Sequence, residues 1–342
     1  MSKILVTGGT GYIGSHTVVE LHNAGYTPVI VDNLSNSTIK ILDQIEKIIG
    51  KKPEFHQFDL CDEEKVFNFA QTHKDITGII HFAASKAVGE SVQEPLKYYH
   101  NNFFSLINLL NAYKDRAIDF VFSSSCTVYG EPDQLPVTES APVKKATSPY
   151  GNTKQIAEEI LEETAQAKDN YHIIALRYFN PVGAHESGFI GELPIGVPQN
   201  LLPFITQTAI GKREKLTVFG DDYDTPDGSC IRDYIHVVDL AKAHVAAIQR
   251  LEAKKADDKY EVFNVGTGNG YSVLEAVRAF EEAAQVKLNY KIGPRREGDI
   301  IKVWGDVTKS KNVLGWEAKL GIDEMMASAW KWEKYLKENP LD

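Results

Sequence analysis

Tyr150 and Lys154 stand four residues apart, a spacing that turns both side chains the same way on a helix. A free phenol keeps its proton up to a pH of about 10, and a neighbouring cation favours the phenolate and lowers that value. The pair therefore suits a general base acting on an alcohol whose carbon gives up hydride, with the positive ring of a nicotinamide acting on the phenol as the lysine does. The plainer alternative is a surface tyrosine beside a solvated lysine. Ser123-Ser124-Ser125-Cys126-Thr127 follows the apolar run Phe120-Val121-Phe122. A hydroxyl at a strand end can hydrogen-bond the reacting oxygen, and Ser125 is the choice for that, against simple solvation of a loop.

Such residues need elements to position them. The helix after Pro149 carries Ile156, Ile160, Leu161 and Thr164 on one face and glutamates opposite, so it should pack on a sheet and hold Tyr150 over a cofactor. The chain opens with Ile4-Leu5-Val6, suited to a strand buried on both faces. Glycines follow at Gly8, Gly11 and Gly14, and a helix begins after them. A strand turning through glycines into a helix makes an anion site, because unpaired N–H groups and the positive dipole end meet a backbone that a pyrophosphate can approach. A second strand, Thr27 to Val31, ends at Asp32. That is where an acid would accept bonds from an adenosine ribose and repel a 2′-phosphate, favouring NAD over NADP. Alternatively Asp32 is only a turn residue.

Strand and helix patterns then alternate. Helices are expected near Thr38–Ile49, Glu63–Thr72, Pro95–Lys114 and after Tyr150. Strands are expected at Phe55–Asp59, Gly78–Ala83, Phe120–Ser123 and Tyr171–Arg177. This predicts a parallel sheet covered on both faces, with ligands at the carboxyl ends of its strands. Asp32, Asp59, Phe82, Ala83 and Ser123 should converge there. From Pro181 prolines and glycines crowd, and a smaller lobe is expected, with a helix at Leu201–Ile210 and a strand at Thr217–Phe219. A helix over Val237–Leu251 and a strand over Tyr260–Val265 should rejoin the first lobe. The tail Ile322–Leu336 reads as helical, with Trp330 and Trp332 as packing residues. The expected organisation is a nucleotide-binding domain over 1–180 and a mainly substrate-binding lobe over 181–342, with about 230–265 returning to the first.

Composition bounds the reading. The 342 residues are 43% hydrophobic and 25% charged, ordinary for a globular chain. The net charge of -10 argues against nucleic-acid backbones as partners. Three widely spaced cysteines indicate neither a disulfide framework nor a zinc site, and the histidines show no His-Glu-x-x-His pattern, so no metal is predicted. No run reaches membrane-spanning length and no signal peptide is apparent, so a cytoplasmic protein without membrane partners is expected.

Taken together, these segments resemble the extended short-chain dehydrogenase/reductase family, and within it the UDP-glucose (UDP-galactose) 4-epimerases, nearly end to end. The resemblance runs through Thr7–Gly14, Val31–Ser37, His81–Val92, Ser123–Gly130, Ser148–Lys154, Arg177–His185, Ile231–Val237 and Pro294–Asp299. The Lys86-Ala87-Val88-Gly89-Glu90-Ser91 and Arg177-Tyr178-Phe179-Asn180-Pro181-Val182-Gly183-Ala184 stretches are its most specific parts. It implies an α/β, Rossmann-type doubly wound parallel sheet with a smaller C-terminal α/β substrate lobe. It also implies a hidden redox cycle, in which Tyr150 takes the sugar 4-hydroxyl proton while hydride passes to NAD. The 4-keto sugar, tethered through UDP, swings round and takes hydride back on the other face. By the same resemblance Ser125 bonds the 4-oxygen, and Lys154 holds the nicotinamide ribose and depresses the Tyr150 pKa.

The family pattern would place NAD against Gly8, Gly11, Tyr12, Ile13, Gly14, Asp32, Asn33, Asn36 and Ser37. It adds Asp59, Leu60, Phe82, Ala83, Lys86, Asn101, Ser123, Tyr150, Lys154 and Phe179. The UDP-sugar would lie against Ser125, Tyr150, Asn180, Asn200, Leu201, Phe219, Arg232, Arg296, Asp299 and Val303. Arg232 and Arg296 can each fork onto a diphosphate. Val303 aligns with a position that is tyrosine in some relatives, so the pocket is expected to have room for an N-acetyl group. A nucleotide-sugar 4,6-dehydratase or decarboxylase is the sibling alternative. Dehydratases usually carry an Asp-Glu pair where this chain has Cys126-Thr127. A dinucleotide-sensing protein without catalysis is the other alternative, and such proteins typically lose the tyrosine or lysine. Relatives often dimerise through helices corresponding to Pro95–Lys114 and Asn152–Ala167, so a homodimer is expected.

Overall fold

The computed structural model describes residues 2–296 and 299–341. Glu297 and Gly298 of the Pro294–Asp299 motif lie outside the described residues. The first half alternates strands β1 (Lys3–Thr7), β2 (Thr27–Asp32), β3 (Glu54–Gln57), β4 (Ile76–His81), β5 (Ile118–Ser123) and β6 (Tyr171–Tyr178) with helices. These are α1 (Tyr12–Asn23), α2 (Ile41–Ile49), α3 (Glu63–Thr72), α4 (Val88–Gln93), α5 (Pro95–Tyr113) and α6 (Pro149–Ala167). The second half adds β7 (Asn180–Val182), α7 (Leu201–Ala209), β8 (Leu216–Phe219), β9 (Ile231–Arg232), β10 (Tyr234–His236), α8 (Val237–Glu252) and β11 (Tyr260–Val265). It closes with β12 (Tyr271–Ser272), α9 (Val273–Ala284), β13 (Tyr290–Gly293), β14 (Lys302–Val303) and α10 (Ile322–Glu338).

Seven strands pair in the order β11-β6-β5-β4-β1-β2-β3, all parallel. The runs are apolar throughout because both faces are covered. Successive residues of β1 serve opposite cores. Ile4 and Val6 pack with Val18 and Val19 of α1 and Leu240 of α8. Leu5 packs with Val66 of α3, Leu109 of α5 and Leu161 of α6. The order reverses at β1, whose neighbours are β4 on one side and β2 on the other. At such a switch point the carboxyl ends of the strands leave a crevice.

The second lobe is held by a separate core, in which Ile205 of α7, Phe280 of α9, and Met325 and Met326 of α10 meet. Its strands are short and local: β10 pairs with β7, β9 with β12 and β14, and β13 with β8. Trp332 is buried in the main core, and Trp330 packs edge-on against Phe280 at 5.7 Å. No described helix is long and apolar enough to cross a membrane.

One expectation needs correction, and one element was missed. The buried face of α6 is Tyr150, Lys154, Ala157, Glu158, Leu161 and Ala165, while Ile156, Ile160 and Thr164 are only half-buried. The helix turns its mixed, partly polar stripe toward the sheet because that stripe reaches the strand ends. Helix α9 was not anticipated, although Ser272 and Glu275 form a capping box at its start, a signature visible in the sequence.

Candidate active site

The turn after β1 is tight for a reason that a side chain would reveal. A Cβ on Gly14 would lie 2.2 Å from the Gly8 carbonyl oxygen, and one on Gly8 (φ 70°) would lie 3.0 Å from the Ala83 nitrogen. Gly11 caps α1 without any side-chain hydrogen bond, so the first N–H groups of the helix face the crevice unclaimed by a cap. Ile13 is buried. Tyr12 reaches across to the second lobe, its Oη donating to the Gly183 carbonyl at 2.7 Å.

At the end of β2 the Asp32 carboxylate gathers the loop around it. It accepts from the N–H of Leu34 at 2.9 Å, the N–H of Thr10 at 3.2 Å and the hydroxyl of Ser37 at 3.3 Å. Asn33 donates to Asp59 at 2.9 Å, and Asn36 stands exposed beside them. Burial works against the Asp59 carboxylate, but bonds from the Cys61 N–H and Asn33 hold its pKa below the ordinary value. Leu60 is buried. Beyond β4, the Phe82 N–H donates to the Thr7 carbonyl at 3.1 Å, and Ala83 follows. Asn101 on α5 donates to the side chain of its neighbour Asn102 at 3.0 Å.

The residues expected to carry the reaction, Ser125, Tyr150 and Lys154, come together near the ends of β5 and β6. The Lys154 ammonium donates to the Ser123 carbonyl at 2.7 Å and lies 4.7 Å from the Phe122 ring and 6.0 Å from the Tyr150 ring. Burial lowers its pKa to about 8. Burial also pushes the Tyr150 phenol well above its ordinary value, and a hydrogen bond with Ser125 draws it partly back. The expected depression of Tyr150 by Lys154 is thus not what the protein groups alone produce, because desolvation outweighs the distant cation. Ser125 caps a short 3-10 turn at Cys126–Tyr129 by accepting from the Thr127 N–H at 3.2 Å. Burial raises the neighbouring Cys126 thiol to about 12.

Behind this trio lies a network the sequence did not disclose. Ser124 donates to Glu158, and Glu158 forks onto Arg177, with Nη2 to Oε2 at 2.5 Å. Ser123 donates to the Tyr178 hydroxyl at 3.1 Å. Glu158 sits one helical turn after Lys154, the only signal available for it. Phe179 is buried and packs with Val128, Tyr129, Val137 and Val303.

Across the crevice Arg296 forks onto Asp299, with Nη2 to Oδ1 at 2.6 Å and Nε to the two oxygens at 3.1 and 3.2 Å. Its guanidinium lies 5.6 Å from the Phe219 ring, which is 41% exposed. Arg232 Nη2 is 3.9 Å from the same Asp299, and Val303 pairs with Arg232 in the strand register. These five candidates form one cluster. Asn180 lies nearby, its N–H donating to the Asp233 carbonyl at 2.9 Å. Asn200 and Leu201 open α7 on another wall, and Asn200 donates to Glu192 at 2.6 Å. Glu192 also lies 3.9 Å from the Lys86 ammonium, so a loop residue that no pattern flagged joins the two lobes.

Comparison with known proteins is in keeping with this arrangement. A family model described as GDP-mannose 4,6 dehydratase matches residues 5–329. The UDP-glucose 4-epimerase of Dictyostelium discoideum is 51% identical over 332 residues, covering 97% of this chain and 95% of that one. That of Bacillus subtilis is 51% identical, covering 96% of each. Among solved structures, UDP-glucose-4-epimerase from Stenotrophomonas maltophila with bound NAD and formylated UDP-arabinopyranose superposes with a TM-score of 0.95 at 45% identity over 99% of both chains. The Bifidobacterium longum enzyme in complex with NAD+ and UDP gives 0.92 at 47% identity, again over 99% of both. With relatives half identical along almost their whole length, the chain belongs to the UDP-glucose 4-epimerases of the extended short-chain dehydrogenase/reductase family.

Proposed function

We infer that this protein interconverts UDP-glucose and UDP-galactose, inverting C4 by transient hydride transfer to bound NAD and back from it. The observation that carries the reading is the convergence of Tyr150, Ser125 and Lys154 at the β5 end in a chain so similar to epimerases. The residues present fit the cofactor: the glycines let the turn after β1 close on its own backbone, where a Cβ on Gly8 or Gly14 would collide, the first N–H groups of α1 are left without a side-chain cap, and Asp32 offers a carboxylate where a ribose would lie. NAD, when bound, supplies the hydride acceptor and a positive ring beside the phenol.

In this reading Gly8, Gly11, Tyr12, Ile13 and Gly14 hold the pyrophosphate side. Asp32, Asn33, Asn36, Ser37, Asp59 and Leu60 hold the adenosine, and Phe82, Ala83, Lys86, Asn101, Ser123 and Phe179 line the rest. Tyr150 Oη takes the proton of the sugar 4-hydroxyl and later returns it. Ser125 Oγ bonds the 4-oxygen throughout. Lys154, fixed by the Ser123 carbonyl, would hold the nicotinamide ribose. Arg232 and Arg296 exchange part of their hold on Asp299 for the diphosphate, while Asn180, Asn200, Leu201 and Phe219 flank the nucleotide. Burial of the phenol keeps water from the 4-keto sugar while it turns. Residues 1–180 with the returning 230–265 segment act as the cofactor half, and the remainder carries the UDP-sugar. Cys126-Thr127 offers no acid/base pair for work at C5 and C6, and dehydration is therefore not favoured.

Three finer points belong to the same reading. Val303 leaves room for an N-acetyl group, so UDP-GlcNAc is also epimerised. A 37% identical structure is that of the UDP-Glc/GlcNAc 4-epimerase from Campylobacter jejuni. The protein works in the cytoplasm and as a homodimer, and the dimer is supported by Leu96, Phe104 and Ile107 of α5, which stand exposed beside the half-buried Ile156 and Ile160 of α6. Incubating the purified protein with UDP-galactose and no added NAD, with products identified by NMR, should give UDP-glucose. UDP-GlcNAc should give UDP-GalNAc, and replacing Val303 by Tyr should remove that second activity while sparing the first. No product from UDP-galactose even with NAD supplied would refute the epimerase reading.

A further inference from the structure

At the outer edge of the sheet the fold gathers three side chains that no linear motif joins. Glu54 and His56 lie two apart on β3, hence on one face of the strand, and His73 is the C-cap of α3, which brings it back over them. Glu54 Oε1 is 3.0 Å from His56 Nε2 and 3.2 Å from His73 Nε2, and one ligand atom from each residue lies within 4.8 Å of the others. We propose that Glu54, His56 and His73 bind one divalent transition-metal ion of the zinc class at this edge of the sheet. This revises the expectation of no metal, which rested on linear spacing alone.

The geometry is close to what an ion requires. With metal–ligand bonds of about 2.0–2.2 Å, tetrahedral ligand atoms stand roughly 3.3–3.6 Å apart, and two of the three separations need to change by only a few tenths of an ångström. The His73 Nδ1–H donates to the Phe69 carbonyl, with Nδ1 2.9 Å from that oxygen. In the neutral ring this leaves Nε2 as the free nitrogen on the Glu54 side, an arrangement that outer-shell partners of metal-bound histidines commonly provide. The Phe69 ring stacks on His73 at 4.1 Å and meets His56 edge-on at 5.0 Å, so both imidazoles are held by packing. Two imidazoles and a carboxylate suit Zn2+, Co2+ or Ni2+ better than Mg2+ or Ca2+, and three protein ligands leave a fourth position for water. The nearest competing cation is Lys3, 3.8 Å from Glu54, but it lies closer to Asp75 at 2.8 Å. All three side chains are partly exposed, which gives an ion a way in. Once bound, the ion would clasp the edge strand to its helix and stabilise the folded chain by mass action.

The test is titration of chelator-treated protein with Zn2+ by calorimetry and with Co2+ by visible absorption. One Zn2+ per chain, a rise in thermal midpoint with Zn2+, and the intense bands of four-coordinate Co2+ are expected. His56→Ala and His73→Ala should each weaken binding at least 10-fold, as should the isosteric Glu54→Gln, whose shape guards against a folding defect. His172→Ala, at a separate contact with Asp119, should leave binding unchanged. No saturable binding of Zn2+, or binding that survives all three ligand substitutions, overturns the proposal.

Discussion

Around Tyr150 the charged and titratable groups are buried and paired through the backbone or through a neutralising network. Around Arg296 the arginine itself stands in water, while Asp299 and Arg232 beneath it are largely covered, and the three pair with one another. Lys154 is desolvated to a pKa of about 8 and tethered to the Ser123 carbonyl, and Glu158 behind it is closed by Arg177. By contrast, the Arg296 side chain is 57% exposed, and its partner Asp299 is shared with Arg232. On the proposed assignment, the reacting end would be set before a substrate arrives, whereas the diphosphate end would keep its cations on a releasable counter-ion. In the proposed reading the buried groups would govern the chemical step, where electrostatic effects are largest, and the exposed arginine would govern binding, where an ion pair is worth little until desolvated.

The largest effect should come from the dry end. Tyr150→Phe should lower kcat by about 10²–10⁴-fold with NAD content of the purified protein unchanged. Equal loss of NAD would mean that the phenol mainly holds the cofactor, and the division between the two ends would fail. Next comes the glycine turn: Gly14→Ala puts a methyl group against the Gly8 carbonyl and should weaken NAD retention roughly 10–100-fold, read from the cofactor released on gel filtration. At the wet end, Arg296→Ala should raise KM by roughly 10-fold with kcat within about a factor of two. A fall in kcat as large as the rise in KM would show that this arginine also orients the sugar for reaction.

The smallest effect concerns Lys154 and stability. Its folded pKa, about 8, lies below the ordinary lysine value of about 10.4. Between these two values the unfolded chain therefore binds more protons, and folded stability rises with pH. Below about pH 8 the buried cation carries its full cost. The thermal midpoint of Lys154→Met relative to the unmodified protein should accordingly be most favourable at neutral pH and decline as pH rises toward 10. A difference independent of pH would mean that the ammonium is solvated.

Much of this was legible in residues whose type and spacing answer a local rule. The apolar strands, the glycines before α1 and the Tyr150–Lys154 pair all obey short-range periodicities, and the helix Glu63–Thr72 and strand Tyr260–Val265 lie where the pattern places them. The direction in which α6 faces was misread, because its buried stripe includes Lys154 and Glu158, residues that pattern rules assign to solvent. Glu158, Tyr178 and Glu192 escaped for a related reason: each owes its place to a partner far along the chain. The short strands β9, β12 and β14 hold two residues apiece, too few for any period to register. The Glu54, His56 and His73 cluster is the same case, since the return of α3 over β3 makes neighbours of residues that no motif connects.

β6 and β11 are neighbours in the sheet, yet about 80 residues separate the end of one from the start of the other. At roughly 5–20 residues per second, a ribosome needs roughly 4–16 s to deliver the partner strand. Throughout that interval the outer edge of β6 presents unpaired N–H and C=O groups on an apolar strand, the template on which chains pair wrongly with one another. The last strand of the cofactor sheet is thus also the seal against aggregation of the nascent chain. A factor that shields strand edges during translation should raise the yield of this protein most strongly in the seconds before residue 265 emerges.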